Sequence, residues 1–211
     1  MALIDISRSI SPATAVWPGD QEVEWSWTTR LGHDGASVNL GSLRLSTHVG
    51  SHADAPFHVD ADGRTLDQLP LSAFAGPVEV IEVEDASIRP DHVSNVGAER
   101  VLVKTEASQL PDTKWPDSVV SAQPDAIRRL EEEDVVLFGT DAPSVDPLNS
   151  TSLPAHHALL EAGIVNLEGL CLEGVQPGLY TLTAFPLKIP NADAAPVRAV
   201  LHDETPVDRL Q

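Results

Sequence analysis

Residues 48–58 read His48-Val49-Gly50-Ser51-His52-Ala53-Asp54-Ala55-Pro56-Phe57-His58 and hold three of the chain's eight histidines. One carboxylate, Asp54, lies between the second and third imidazole. Imidazole and carboxylate groups at such short range are the donors that hold a borderline divalent metal such as zinc. In an extended chain His48, His52, Asp54 and His58 occupy even positions and share one face. Gly50 leaves space on that face, and Pro56 disfavours a helical conformation at Ala55. The spacing predicts an extended, one-faced cluster. A set of hydrogen-bonded polar residues without a metal is the alternative that this stretch alone leaves open.

A metal site needs further ligands, and two candidates lie downstream. His156 and His157 are adjacent in a helical segment, about 100° apart, so only one of them can face a given point. Glu168 follows Leu167 in an apolar context, where an unpaired carboxylate is costly and a cation would remove that cost. A hydrogen-bonded buried glutamate is the alternative. Asp141 and Asp146 follow a buried strand, a position that suits a turn former better than a cleft residue. Trp17, on the Pro18-Gly19 turn, can wall a pocket or cap the edge of the core. Serine-based hydrolysis has little support, because no Gly-x-Ser-x-Gly elbow is present.

The elements that must position these groups are legible as alternating and periodic runs. Leu3–Ile6, Glu22–Thr29 and Val38–Thr47 read as strands. In the second of these Trp25 and Trp27 are expected to pack. The third is expected to be half-buried through Leu43 and Leu45 and to lead straight into His48. Residues 59–64 form a turn-rich loop, and Asp67–Phe74 suits a short helix. Pro77–Glu84, Arg100–Thr105 and Val135–Gly139 read as strands, the last two buried. Pro124–Glu133 is a helix with proline in its first turn and Ile127 and Leu130 inward. Ser152–Gly163 is the clearest helix, with Ser152 or a neighbour as cap, Pro154 in the first turn and Gly163 at its end. Ile164–Glu168, Leu179–Leu187 and Pro196–Leu201 complete the extended segments. The fold class is α/β: one domain over residues 1–211, with a mixed sheet and few helices.

Composition narrows the function classes. The chain has 211 residues, long enough for one well-buried domain. Its net charge of −19, from 32 acids against 13 bases, repels nucleic acid and anionic membranes. Such an acidic, lysine-poor surface also suits a host with high internal salt. Cys171 is the single cysteine, which excludes an intrachain disulfide and a thiolate metal cluster. Asp5 and Arg8 interrupt the first ten residues, which do not read as a signal peptide, and no run is long enough to span a bilayer. A cytoplasmic location is expected.

The run from His48 to His58 resembles the signature of the cyclase family of metal-dependent hydrolases, and the likeness extends over nearly the whole chain. It takes in Trp17-Pro18-Gly19-Asp20, the His156 helix followed by Leu167-Glu168-Gly169, and the closing runs Ala184-Phe185-Pro186-Leu187-Lys188 and Pro196-Val197-Arg198-Ala199-Val200. The resemblance implies a swivelling β/β/α architecture and a homodimer or higher homo-oligomer with active sites near the subunit interface. It implies two divalent metal ions per subunit, zinc by preference and manganese second. By resemblance His48, His52 and Asp54 bind the first metal and His156 the second, while Asp54 and Glu168 touch both. His156 is preferred to His157 because its twelve-residue spacing to Glu168 matches the family. His58 takes the place of the catalytic acid/base and Trp17 that of a substrate contact. Ser51 stands where the signature usually has threonine, a departure that removes no ligand.

The activity so implied is hydrolysis of a small-molecule aryl formamide, N-formyl-L-kynurenine, to L-kynurenine and formate. Water activated by the metals attacks the formyl carbon, and His58 carries a proton to the departing amine. Hydrolysis of a cyclic amide such as isatin is the competing activity. A non-catalytic metal- or ligand-binding role on the same fold is the alternative from another class.

Overall fold

The structure, a computed structural model, describes residues 2–203. In chain order the first strands are β1 (Ala2–Asp5), β2 (Glu24–Thr29), β3 (Leu40–Arg44) and β4 (His52–Asp54). They are followed by β5 (Ala75–Glu82), β6 (Ser87–Ile88), β7 (Arg100–Lys104) and β8 (Ser121–Ala122). Helix α1 (Pro124–Glu132), β9 (Leu137–Thr140), helix α2 (Pro154–Ala162) and β10 (Val165–Glu168) come next, and β11 (Gly178–Thr183), β12 (Ala194–Pro196) and β13 (Val200–Asp203) close the order.

Nine strands make one mixed sheet in the order β1-β13-β11-β5-β7-β9-β10-β4-β12. Its centre, β5-β7-β9-β10, is parallel, and the flanking pairs are antiparallel. Central parallel strands are covered on both faces and so read as continuous apolar runs. In β7, Leu102 enters one core while Val101 and Val103 enter the other. In β9, Leu137 and Phe138 divide in the same way. The second core is closed by α1 through Ala126, Ile127 and Leu130, and by α2 through Ala155, Ala158 and Leu159. The expected mixed-sheet α/β architecture with few helices is what the chain adopts. No helix among the described residues is long and apolar enough to cross a membrane.

Several expectations need correction. Residues 48–58 are not one extended strand: His48 lies on a turn, only His52–Asp54 pairs in the sheet, and Pro56–His58 is a 3-10 turn. Gly50, at φ +63°, breaks the extended run between the first two histidines. Strands β2 and β3 form a separate hairpin rather than half-buried core strands, and Leu43 is exposed. Trp25 and Trp27 are exposed too, and pack edge to face on each other at 5.5 Å. Residues 66–74 form two 3-10 turns, not one helix, because Pro70 lies between them. Helix α2 takes no cap from Ser152. The carboxylate of Asp146 accepts the N–H groups of Ala155 and His156 instead.

The turn bearing His48 is fixed against the end of β10 by a close approach of backbones. Gly169 has φ +64°, and a Cβ there would lie 2.3 Å from the Gly50 carbonyl oxygen. Ser51 Oγ donates to the Gly169 carbonyl at 2.6 Å and accepts the Arg8 N–H at 2.9 Å. Its hydroxyl therefore does the tethering at the position where a threonine was expected. Gly169→Ala combines a steric clash with a left-handed backbone and should cost about 2–4 kcal/mol of stability, read from a denaturant midpoint. An unchanged midpoint would show that this approach is not required.

Candidate metal centre

The pairing of β4 with β10 sets Asp54 opposite Asn166 and His52 opposite Glu168. Alternation sends Ala53 and Leu167 into the first core, so these four polar side chains share the other face. His156 reaches them from α2 and is buried, while His157 is exposed. That separation follows from the helical angle between neighbours.

Each imidazole of the group has an acceptor behind it. His52 Nδ1 donates to the Gly50 carbonyl at 3.1 Å, which turns Nε2 toward Asp54 Oδ1 at 3.4 Å and Glu168 Oε2 at 3.6 Å. His156 Nδ1 is paired with Asp146 Oδ2 at 2.7 Å, and its Nε2 faces Glu168 Oε1 at 3.3 Å and Asp54 Oδ2 at 3.7 Å. His48 Nε2 is paired with Asp193 Oδ2 at 2.9 Å, which leaves Nδ1 3.1 Å from Asp54 Oδ1. Holding one ring nitrogen in this way orients the other as a metal donor.

Two sets of donors result, each with its ligand atoms within 4.8 Å of one another: His48, His52 and Asp54, and Asp54, His156 and Glu168. Asp54 belongs to both. Asn166 Nδ2 donates to Asp54 Oδ2 and Glu168 Oε1 at 2.9 and 2.8 Å, and the Val145 N–H adds a bond to Glu168 Oε1. His52 Nε2 and Asp54 Oδ1 are buried without a hydrogen-bond partner. Orphaned donor atoms that converge at the centre of a nitrogen and oxygen ligand set fit divalent cations. A third set, His48, His58 and Asp193, also lies within 4.8 Å, but its members are more exposed and contain neither orphaned atom.

The electrostatics separate the histidines. Burial opposes the charged form of His156, but Asp146, Asp54 and Glu168 override it and push the imidazole up to about 12. Burial likewise opposes charge on His48, yet Asp54 and Asp193 raise it to about 9. Burial raises Asp54, but His52, His156 and His48 together hold it well below the usual carboxylate range. His48 and His156 thus carry protons at neutral pH when no cation is bound, and a cation has to displace them. His58 behaves differently: burial, helped by His48 and His156 and opposed by Asp54 and Glu168, lowers it below its ordinary value.

His58 stands at the rim. Its side chain is 30% exposed, its Nδ1 is 3.7 Å from Asp193 Oδ2, and its ring lies 4.3 Å from that of His48 and 5.7 Å from that of His156. With Asp54 and His156 it lines a cavity of about 420 Å³ whose walls include Leu69, Ala73, Leu159 and Leu160. Trp17 lies on its turn, closed by the Asp20 N–H to the Trp17 carbonyl, and is 41% exposed. It meets Trp115 edge to face at 5.4 Å, and Trp115 with His48 and Gly50 lines a smaller hollow on the other side of the cluster. Trp17 is therefore one ring removed from the histidines.

Sequence reasoning missed Asp193 and Asn166 and left Asp146 without a role. Asp141 is a structural anchor: its buried carboxylate accepts N–H and O–H bonds from both Thr105 and Ser108. The alternation of Val165-Asn166-Leu167-Glu168 held a signal for Asn166, since it shares a strand face with Glu168.

With this geometry in place, comparison with known proteins is informative. The Cyclase family model, described as "Putative cyclase", matches residues 4–147. A kynurenine formamidase of Salinibacter ruber is 62% identical over 208 residues, covering 96% of this chain and 98% of that protein. A solved structure of a potential metal-dependent hydrolase with cyclase activity is 28% identical, with a TM-score of 0.79 over 95% of this chain and 96% of that one. Isatin hydrolase A from Labrenzia aggregata, bound to benzyl benzoate, is 26% identical, with a TM-score of 0.78 over 95% and 93% of the two chains. The chain belongs to the cyclase family of metal-dependent hydrolases.

Among the described residues Asp146 touches the cluster through His156. Asp146→Asn should weaken metal retention by about 10–100-fold in a chelator competition, because it removes the carboxylate behind the His156 ring. Retention equal to the unaltered protein would remove Asp146 from the centre.

Proposed function

We propose that this protein hydrolyses the formamide bond of N-formyl-L-kynurenine, releasing L-kynurenine and formate, at a centre for two divalent cations. The observation that carries the activity is the 62% identity to a kynurenine formamidase over nearly the full length of both chains. In this proposal His48, His52 and Asp54 hold one cation and His156 the other, with Asp54 and Glu168 shared. The two convergent donor sets and the orphaned His52 and Asp54 atoms support that division. Zinc suits the imidazole and carboxylate donors, with manganese second.

When bound, the cations supply acidification of a water and stabilisation of negative charge on the carbonyl oxygen. The chain's own residues do the rest. The apolar cavity walls take the aryl ring and exclude water from it. His58, kept largely neutral at physiological pH by its surroundings, accepts a proton as the water attacks and returns it to the departing aryl amine. Asp193 orients the His58 and His48 rings. Trp17, held edge to face by Trp115, stands outside the lining of that cavity and is assigned a substrate contact from the family likeness alone.

The remaining features of the proposal are one hydrolase domain over residues 1–211, a cytoplasmic location and a homo-oligomer, with a homodimer the simplest form. Strands from both ends of the chain share one sheet, which supports the first. The single cysteine suits the second. The exposed Trp25, Trp27, Leu40 and Leu43 of the β2–β3 hairpin support burial of that face by a second copy.

Purified zinc-loaded protein should turn over N-formylkynurenine, lose activity with a chelator and regain it on zinc addition. His58→Ala should retain the metal and lower kcat by about 10²–10⁴-fold. Turnover of isatin with none of N-formylkynurenine would transfer the protein to the isatin hydrolase side of the family.

A further inference from the structure

Arg64 lines the same cavity as Asp54, His58 and His156. It is exposed, and among the described residues its side chain forms no hydrogen bond and no ion pair. Among the described residues Arg30, Lys114 and Lys188 also have no side-chain hydrogen bond or ion pair, but Arg64 alone of these lines this cavity. Arg8 pairs with Asp112, Arg89 with Asp85 and Arg198 with Asp5. Asp60, Asp62 and Asp67 stand within four residues of Arg64, yet none of them takes it. Asp67 instead accepts Thr65 Oγ1 and the Asn191 N–H, and Asp60 accepts the Asp62 N–H.

The backbone of Arg64 is held in place. Its carbonyl accepts the N–H of Phe57 at 3.1 Å, next to His58. Gly63 lies so close to the 3-10 turn carrying His58 that a Cβ would sit 2.6 Å from the Pro56 carbonyl carbon. Thr65 then begins another 3-10 turn with a reciprocal cap to Gln68. The guanidinium is thus displayed from a fixed position beside the cavity, with its donors unused.

We propose that Arg64 is the specificity-determining residue of the site and binds a carboxylate on the substrate, the amino-acid end of N-formylkynurenine. This rests on the functional reading above. A substrate with its formyl group at the His, Asp and Glu cluster must place its amino-acid end elsewhere along the cavity. Asp54, Glu168, Asp193 and a net charge of −19 all disfavour an anion there. A planar guanidinium meets a carboxylate through two parallel hydrogen bonds and offsets that repulsion locally.

The test titrates zinc-loaded protein calorimetrically with kynurenine and with 2-aminoacetophenone, the aryl ketone that lacks the carboxylate. Arg64→Gln should weaken kynurenine about tenfold and leave the neutral ketone within about twofold, while Arg64→Lys recovers part of the loss. In turnover, Arg64→Gln should raise KM for N-formylkynurenine by a similar factor at unchanged kcat and spare formanilide. An unchanged kynurenine Kd, or parallel weakening of both ligands, overturns the proposal. Arg64-dependent kynurenine binding in a protein that hydrolyses no formamide would sink the activity reading and leave the carboxylate site standing.

Discussion

The antiparallel contact between β4 and β10 sets the terms for the rest of the molecule. It is three residue pairs long, and its two faces have opposite chemistry. Ala53 and Leu167 are fully buried in the first core, while His52, Asp54, Asn166 and Glu168 lie on the other face, each at most 5% exposed. Bare carboxylates at that depth would be untenable unless neutralised and hydrogen-bonded. Asn166 and the Val145 N–H satisfy part of that need, and the histidines supply charge. On this face His52 Nε2, Asp54 Oδ1 and Asn166 Oδ1 are left over, and the first two converge where a divalent cation fits.

The same arrangement explains why chemically similar side chains behave differently. His48 and His156 each lie between carboxylates on both ring nitrogens, so the charged form prevails despite burial. His58 feels Asp54 and Glu168 only through space, while the imidazoles of His48 and His156 add to the effect of burial, so burial prevails. Environments that push like groups apart are how acid, base and ligand roles are divided within one site. Here Asp146 and Asp193, which lie outside the histidine-rich run, act together with Asp54 and Glu168 to favour the charged forms of His156 and His48.

Much of this could be read in the sequence, for reasons that also explain what could not. The buried runs of β7 and β9 were legible because parallel strands covered on both sides are apolar throughout. Helical geometry said that only one of His156 and His157 could face the site, and the twelve-residue spacing to Glu168 shared with the family singled out His156. Period-two alternation held for His52 and Asp54 but failed for His48 and His58. Those two reach the cluster by a left-handed glycine and a 3-10 turn, which no periodicity encodes. Asp193 lies 145 residues from His48, in a loop of ordinary composition, so its role exists only once the sheet has brought β12 beside β4. Trp25 and Trp27 misled because alternation reports a strand but not whether anything covers it.

Helix α2 has no capping side chain at its own N-terminus; Asp146, nine and ten residues upstream of the N–H groups it accepts, serves as the cap while gripping the His156 ring. The consequence is kinetic. The first turn of α2 is completed only once the loop between Asp146 and the helix has closed. His156 is aimed by that same event, and its partners His52 and Asp54 come from more than a hundred residues away. Contacts of such long sequence separation form after the loops between them close. Part of the centre is close in sequence, from His48 to His58, but its union with Glu168 waits until β4 pairs with β10.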